Sequence, residues 1–270
     1  MVRILLLASL LCGMAAAQGN KAWKTPYPAH RIAGNLYYVG TEDLACYLIT
    51  TAAGHILINT GLEDSTPLLR NSLQQVGFKI EDVKIVLTMQ AHFDHVAAMA
   101  EVKKLSGAQV YATEADAPIL EDGGKSDPHF GKSFWFAPVK VDRRLRDGDV
   151  VALGGVSLRV VSTPGHSKGS VSYTMEVMDR GVKRSVAIAN MGSVVMPLKG
   201  NAKYPNIAED FVRSFEAQKK LRPDIWVAGH ASQFDMAAKH KAGSWVDPEG
   251  YRKAVLDYEQ KFREALAAGR

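Results

Sequence analysis

Residues 87–100 read LTMQAHFDHVAAMA and place Gln90, His92, Asp94 and His95 within six positions. The apolar run KIVL ends just before them, and an Ala-rich pattern with helical spacing follows. A polar cluster between a strand and a helix lies at the carboxyl end of the strand, where α/β folds place their ligands. Histidine and aspartate bind zinc through imidazole nitrogen and carboxylate oxygen. Consecutive Asp94 and His95 can converge only in an irregular turn. His92 and Asp94, two apart, can splay towards two neighbouring ions. The spacing therefore points to two metal positions. Further ligands must come from elsewhere, and two histidines have the right setting. His166 in VVSTPGHSKGS and His230 in DIWVAGH each directly follow a strand-like run. A lone histidine is more often structural than a ligand, but these strand-end positions together make a metal site the stronger reading. The remaining histidines, His30, His55, His129 and His240, lack this setting and read as surface or loop residues.

Around the cluster, RIAGNLYYVG, LACYLITT and GHILINTG read as strands of a meander. STPLLRNSLQQVG reads as a helix capped by Ser65 and closed by Gly77, and HVAAMAEVKKLSG as one closed by Gly107. AQVYAT is a strand and EADAPILEDG a short helix. DGDVVALGGVSLRVVSTPG, GSVSYTMEVMD and KRSVAIANMG form a second group of strands. YPNIAEDFVRSFEAQKKLR and DPEGYRKAVLDYEQKFREALAA, the latter capped by Asp247, read as helices flanking the strand DIWVAGH. Strands followed by helices, twice over, predict two α/β halves packed sheet to sheet in one domain. Residues 123–138, GGKSDPHFGKSFWFAP, have no periodicity and carry Phe134, Trp135 and Phe136. An exposed aromatic loop of this kind reads as a mobile lid.

The chain has 270 residues, 47% of them hydrophobic, which is enough for one large core. Its net charge is +5, but the basic residues in DRRLRDGD and QKKLRPD have acids beside them. That pattern is a solvated surface, not a nucleic-acid stripe. MVR, then ILLLASLLCGM, then Ala15–Ala17 read as a signal peptide over residues 1–17, leaving Gln18 as the new N-terminus and a single domain over 18–270. The apolar run is too short to span a bilayer, so the expected location is periplasmic, without a stable membrane anchor. Only Cys12 and Cys46 occur. Cys46, within LACYLIT, reads as a buried small hydrophobe.

His92-x-Asp94-His95, with TPGHSKGS and VAGH downstream, resembles the signature of the metallo-β-lactamase superfamily, and the resemblance runs over essentially the whole mature chain. VGTEDLACYLITTAAGHILINTG, DPHFG and NAKYPNIAEDFVRSFEAQKKL are most similar to subclass B3, and Gln90 to its Gln-bearing, GOB-like branch. The resemblance implies an αβ/βα sandwich with a metal groove at one edge of the two sheets. It implies a first zinc position at Gln90, His92 and His166 and a second at Asp94, His95 and His230. Gln90 stands where most members have histidine. A neutral amide oxygen is a harder, weaker zinc ligand than imidazole, so the second position is favoured, with one or two Zn2+ per chain. Asp94 is expected to orient the attacking water as well as to ligate. Met191-Gly192-Ser193 leaves only Ser193 to meet a substrate carboxylate, beside Phe134 and Trp135 of the lid. Asn59 stands where Asp is common.

The implied activity is opening of the β-lactam ring of penicillins, cephalosporins and carbapenems by a zinc-activated water, in a monomer acting on small molecules. Lactonases and thioesterases of the superfamily are the alternative. Many of those supply a bridging carboxylate after a strand, where this chain reads IANMGS. A non-catalytic exported zinc-binding protein is a third reading.

Overall fold

The computed structural model describes residues 20–269; the expected signal peptide lies outside them. The first sheet has seven strands in chain order: β1 (His30–Ala33), β2 (Leu36–Tyr38), β3 (Tyr47–Thr51), β4 (Gly54–Ile58), β5 (Val83–Leu87), β6 (Gln109–Thr113) and β7 (Arg143–Leu145). β1 to β4 pair antiparallel and β4 to β7 parallel. The second sheet has the order β12-β11-β10-β9-β8, from β8 (Val150–Leu153), β9 (Val156–Ser162), β10 (Val171–Asp179), β11 (Val182–Ala189) and β12 (Ile225–Ala228). Only β11 and β12 pair parallel there.

Alternation along β4 shows how the layers form. Ile56 and Ile58 join a core that includes Val160, Tyr173 and Ile188 of the second sheet. Leu57 points the other way, into a separate cluster with Leu69, Leu73, Val102 and Leu120. Those four residues lie on the helices α1 (Thr66–Gln75), α3 (Met99–Ser106) and α4 (Ala117–Asp122). A strand covered on both faces must be apolar throughout, and Ile56–Ile58 are fully buried. On the other sheet, α5 (Ile207–Lys220) and α7 (Pro248–Ala267) meet through Phe211, Phe215 and Phe262, whose rings lie 5.2–6.2 Å apart. The layering is helix, sheet, sheet, helix, the αβ/βα sandwich expected.

Several local expectations needed correction. The helix after the metal cluster is two pieces, α2 (Phe93–Val96) and α3, and the Ala97 N–H at the end of the first is shared between Phe93 O and Gly61 O; Asp94 and His95 thus lie on one short helical turn, not in an irregular turn. Phe134 and Phe136 are buried, at 6% and 8% exposure; only Trp135, at 42%, faces solvent. Phe134 packs tilted against Phe93 and Phe130, with ring centroids 4.6 and 5.0 Å away, so the aromatic loop contributes to the buried interior as well as the surface. His55 is buried in β4. His30 lies in β1, stacked at 3.7 Å on His240 of α6 (Met236–Ala242) and packed against Trp245. Cys46 is buried as expected, and burial pushes its thiol up to about 12. Asp247 caps α7, its Oδ1 accepting the Gly250 N–H at 2.9 Å. Among the described residues no helix is long and apolar enough to cross a membrane.

Candidate metal centre

Three strand ends build the site. β5 leads into Gln90–His95, β9 into His166 and β12 into His230. The two sheets are stitched at this edge: Ala45 N–H donates to Gly229 O at 3.1 Å, and Leu44 bridges His230. The loop bearing His166 needs its glycines. Gly165 has φ +129°, and a Cβ there would sit 2.7 Å from the Phe211 ring. A Cβ on Gly192 would lie 2.6 Å from His166 Cβ, so residue 192 must be glycine for the histidine to stay in place.

Asp94, His95 and His230 bring their donor atoms within 4.8 Å of one another. Asp94 Oδ2 is 3.4 Å from His95 Nε2 and 3.5 Å from His230 Nε2. His92 Nδ1 and His166 Nε2 face each other at 3.2 Å, with their rings 4.7 Å apart. Gln90 is 4% exposed, and its Oε1 has no partner. His95 Nε2 is likewise buried and unpartnered. Buried polar atoms are normally hydrogen-bonded, so these orphans call for a further partner. Cations at the two positions would satisfy them.

The protonation states suit a cation. Burial holds His92 well below its ordinary range, with His166 adding to the effect. Burial also lowers His166 and lowers His95 to about 4, partly opposed by Asp94. All three imidazoles are neutral at pH 7 and have lone pairs to donate. Burial alone would raise Asp94, but His95 and His230 outweigh it and hold the carboxyl well below the usual range. His230 differs. Burial would lower it, yet Asp43 and Asp94 on either side raise it to about 9. The donor set thus fits zinc at Asp94, His95 and His230, and offers a second, neutral set in Gln90, His92 and His166.

Outer contacts orient the rings. His230 Nδ1 is 3.1 Å from Asp43 Oδ2, which also accepts Trp23 Nε1–H at 3.0 Å. That leaves Nε2 of His230 for the site. His166 Nδ1 donates to Ser193 O at 2.7 Å, so Ser193 meets the site through its backbone carbonyl; its residue is otherwise exposed. Asn59, left-handed at φ 63°, accepts the Met89 N–H through Oδ1 and donates to Ala45 O, bracing the ligand loop. Asp116 is 1% exposed and accepts from Ala91 N, Ser167 Oγ and Gly169 N. It ties the loop of His92 to the loop of His166. The sequence reading had no signal for Asp43 or Asp116, because a carboxylate that acts through another residue carries no spacing motif.

Several hollows open on the surface. One of about 430 Å³ lies beside the site, lined by Lys24, Leu62, Phe93, Ala97, Phe134 and Trp135 among others. A larger one, about 660 Å³, lies on β8–β11 and the end of α5, and neither of these two includes a metal donor.

The family model of the metallo-beta-lactamase superfamily matches residues 40–179. Among solved structures, a class B3 di-zinc metallo-beta-lactamase from an Alaskan soil metagenome is 44% identical, covering 92% of this chain and 97% of that one, with a TM-score of 0.87. The metallo-beta-lactamase GOB-18 from Elizabethkingia meningoseptica is 43% identical, covering 92% and 95%, also at 0.87. A hydroxyacylglutathione hydrolase from Rhodopseudomonas palustris is 30% identical over 131 residues, which are 48% of this chain and 42% of that protein. The chain thus spans less than half the length of the hydroxyacylglutathione hydrolases it matches.

Proposed function

We propose that this chain, which belongs to the metallo-beta-lactamase superfamily, is a zinc-dependent hydrolase that opens the ring of β-lactams, including penicillins, cephalosporins and carbapenems. The observation that carries this reading is the end-to-end similarity to class B3 metallo-beta-lactamases, at 43–44% identity with two of them. The likeness to hydroxyacylglutathione hydrolases covers about half of this chain and under half of theirs. That partial likeness keeps a thioesterase as the second reading. Against it, Ala189–Ser193 bring no carboxylate to the site.

Asp94, His95 and His230 would hold one zinc, and Gln90, His92 and His166 a weaker second. Bound there, zinc supplies Lewis acidity and makes a water acidic enough to ionise near neutral pH. Asp94 is ionised, so it can align a water by accepting its hydrogen bond. Breaking the lactam C–N bond leaves a nitrogen that takes up a proton from water. Neutral His92, His95 and His166 do not compete as acids at pH 7. Trp135 and the hollow beside Phe93 would take the substituent of the substrate, with Ser193 near its carboxylate. The protein is proposed to be exported and to work as a monomer. Hydrolysis of nitrocefin, a glutathione thioester and a lactone should be compared with and without chelator. Chelator-sensitive nitrocefin turnover supports the reading. Thioester turnover without nitrocefin turnover overturns it.

A further inference from the structure

We infer that Asp127 is the positioning residue of the first metal position and acts on zinc through His92. Asp127 lies in the loop 123–138 and is 6% exposed. Its Oδ1 accepts the N–H groups of His129 and Phe130 at 2.7 and 3.0 Å. Its Oδ2 faces His92 Nε2 at 3.9 Å, with both side chains almost wholly buried. His92 Nε2 has no hydrogen-bond partner. The other nitrogen of that ring, Nδ1, is the one that faces His166. The ring is therefore strung between a metal-facing atom and a carboxylate-facing atom. A movement of about 1 Å by either side chain makes the Nε2–H···Oδ2 hydrogen bond.

The first position has particular need of that bond. Gln90, His92 and His166 are all neutral, so no anion among them faces a dication. A carboxylate one imidazole away fixes the tautomer with Nδ1 free, makes that nitrogen more basic and supplies negative charge. His230 has the same arrangement with Asp43 at the second position. The loop that carries Trp135 thus also carries the charge that tunes the first zinc, so its placement and first-site occupancy are coupled.

The inference rests on the metal-centre reading, and its test needs no β-lactam. Asp127→Asn keeps an oxygen for the His129 and Phe130 N–H groups but puts an amide where Oδ2 was. Zinc affinities of the two positions are measured by chelator competition on the full chain. Asp127→Asn should weaken the weaker zinc by roughly 10- to 100-fold and leave the tighter one within about twofold. Asp127→Ser, which can still cap the turn, should do the same. Equal affinities in wild type and both variants would overturn the inference, as would equal losses at both positions. Should neither variant fold, histidine ring nitrogen spectra of zinc-loaded wild type decide. His92 protonated on Nε2 upholds the inference; His92 protonated on Nδ1 overturns it. Loss of nitrocefin turnover in wild type would count against the proposed activity and leave these readouts untouched.

Discussion

Replacing Asp43 with Asn should change how zinc affinity depends on pH, with a magnitude set by His230. Asp43 and Asp94 raise His230 to about 9, against burial. Below that pH the ring has a proton that zinc must displace. Two pH units make this penalty about 3 kcal/mol at pH 7, or roughly 100-fold in apparent affinity. Second-site affinity in the wild type should therefore rise about tenfold per unit from pH 7 to 9, with close to one proton released per zinc at pH 7. In Asp43→Asn the charge is gone, His230 returns towards its ordinary range, and the penalty shrinks. The ring also loses its orienting carboxylate, at a cost of roughly 10- to 100-fold in affinity. At pH 7 the two effects oppose each other, so the variant should lie within about tenfold of wild type. At pH 9 only the loss of orientation remains, and the full deficit should show. Chelator competition across pH, with calorimetry in buffers of different ionisation enthalpy, measures both quantities. A wild-type affinity that is flat from pH 6.5 to 8.5 without proton release would refute the reasoning. So would the same deficit at both pH values. The metal-free protein has the opposite sign: a raised histidine stabilises the fold below about pH 6.5, and that stability is lost as pH rises through about 9.

Asp94→Ala should abolish zinc retention and turnover, because it removes the one carboxylate facing both His95 and His230; Gln90→Ala should be milder, and Gln90→His should move metal content towards two zincs, all read by metal analysis of purified protein. Phe134→Ala should lower stability by about 2–4 kcal/mol in denaturant unfolding, since the ring is buried against Phe93 and Phe130; Trp135→Ala should leave stability alone and raise KM for bulky β-lactams. Burial lowers His30 to about 4, so its neutral form is favoured in the fold and stability is lost as pH falls from about 6.5 towards 4. His30→Phe keeps the stack on His240 and should flatten that fall, visible in unfolding curves at pH 4.5 and 7.5.

What could be read from the sequence was whatever repeats with a period or sits at an element's end. The apolar runs of β4 and β5 and the strand-end places of His92, Asp94, His95, His166 and His230 are of this kind. The break at Ala97 was hidden because alanine favours helix, and the Gly61 O that shares the Ala97 N–H is distant in sequence. The burial of Phe134 was hidden because its partners Phe93 and Phe130 are brought together only by the fold. Asp43, Asp116 and Asp127 were unreadable for a related reason. Each acts on a residue at least 25 positions away, and no local spacing records that.

The most direct test is to titrate zinc into metal-free protein while following bound metal and nitrocefin turnover on the same sample. The account predicts no turnover without zinc, most of the turnover by the first equivalent, and none at any zinc level in Asp94→Ala. Turnover that begins only with the second equivalent, or that survives in Asp94→Ala, would contradict it.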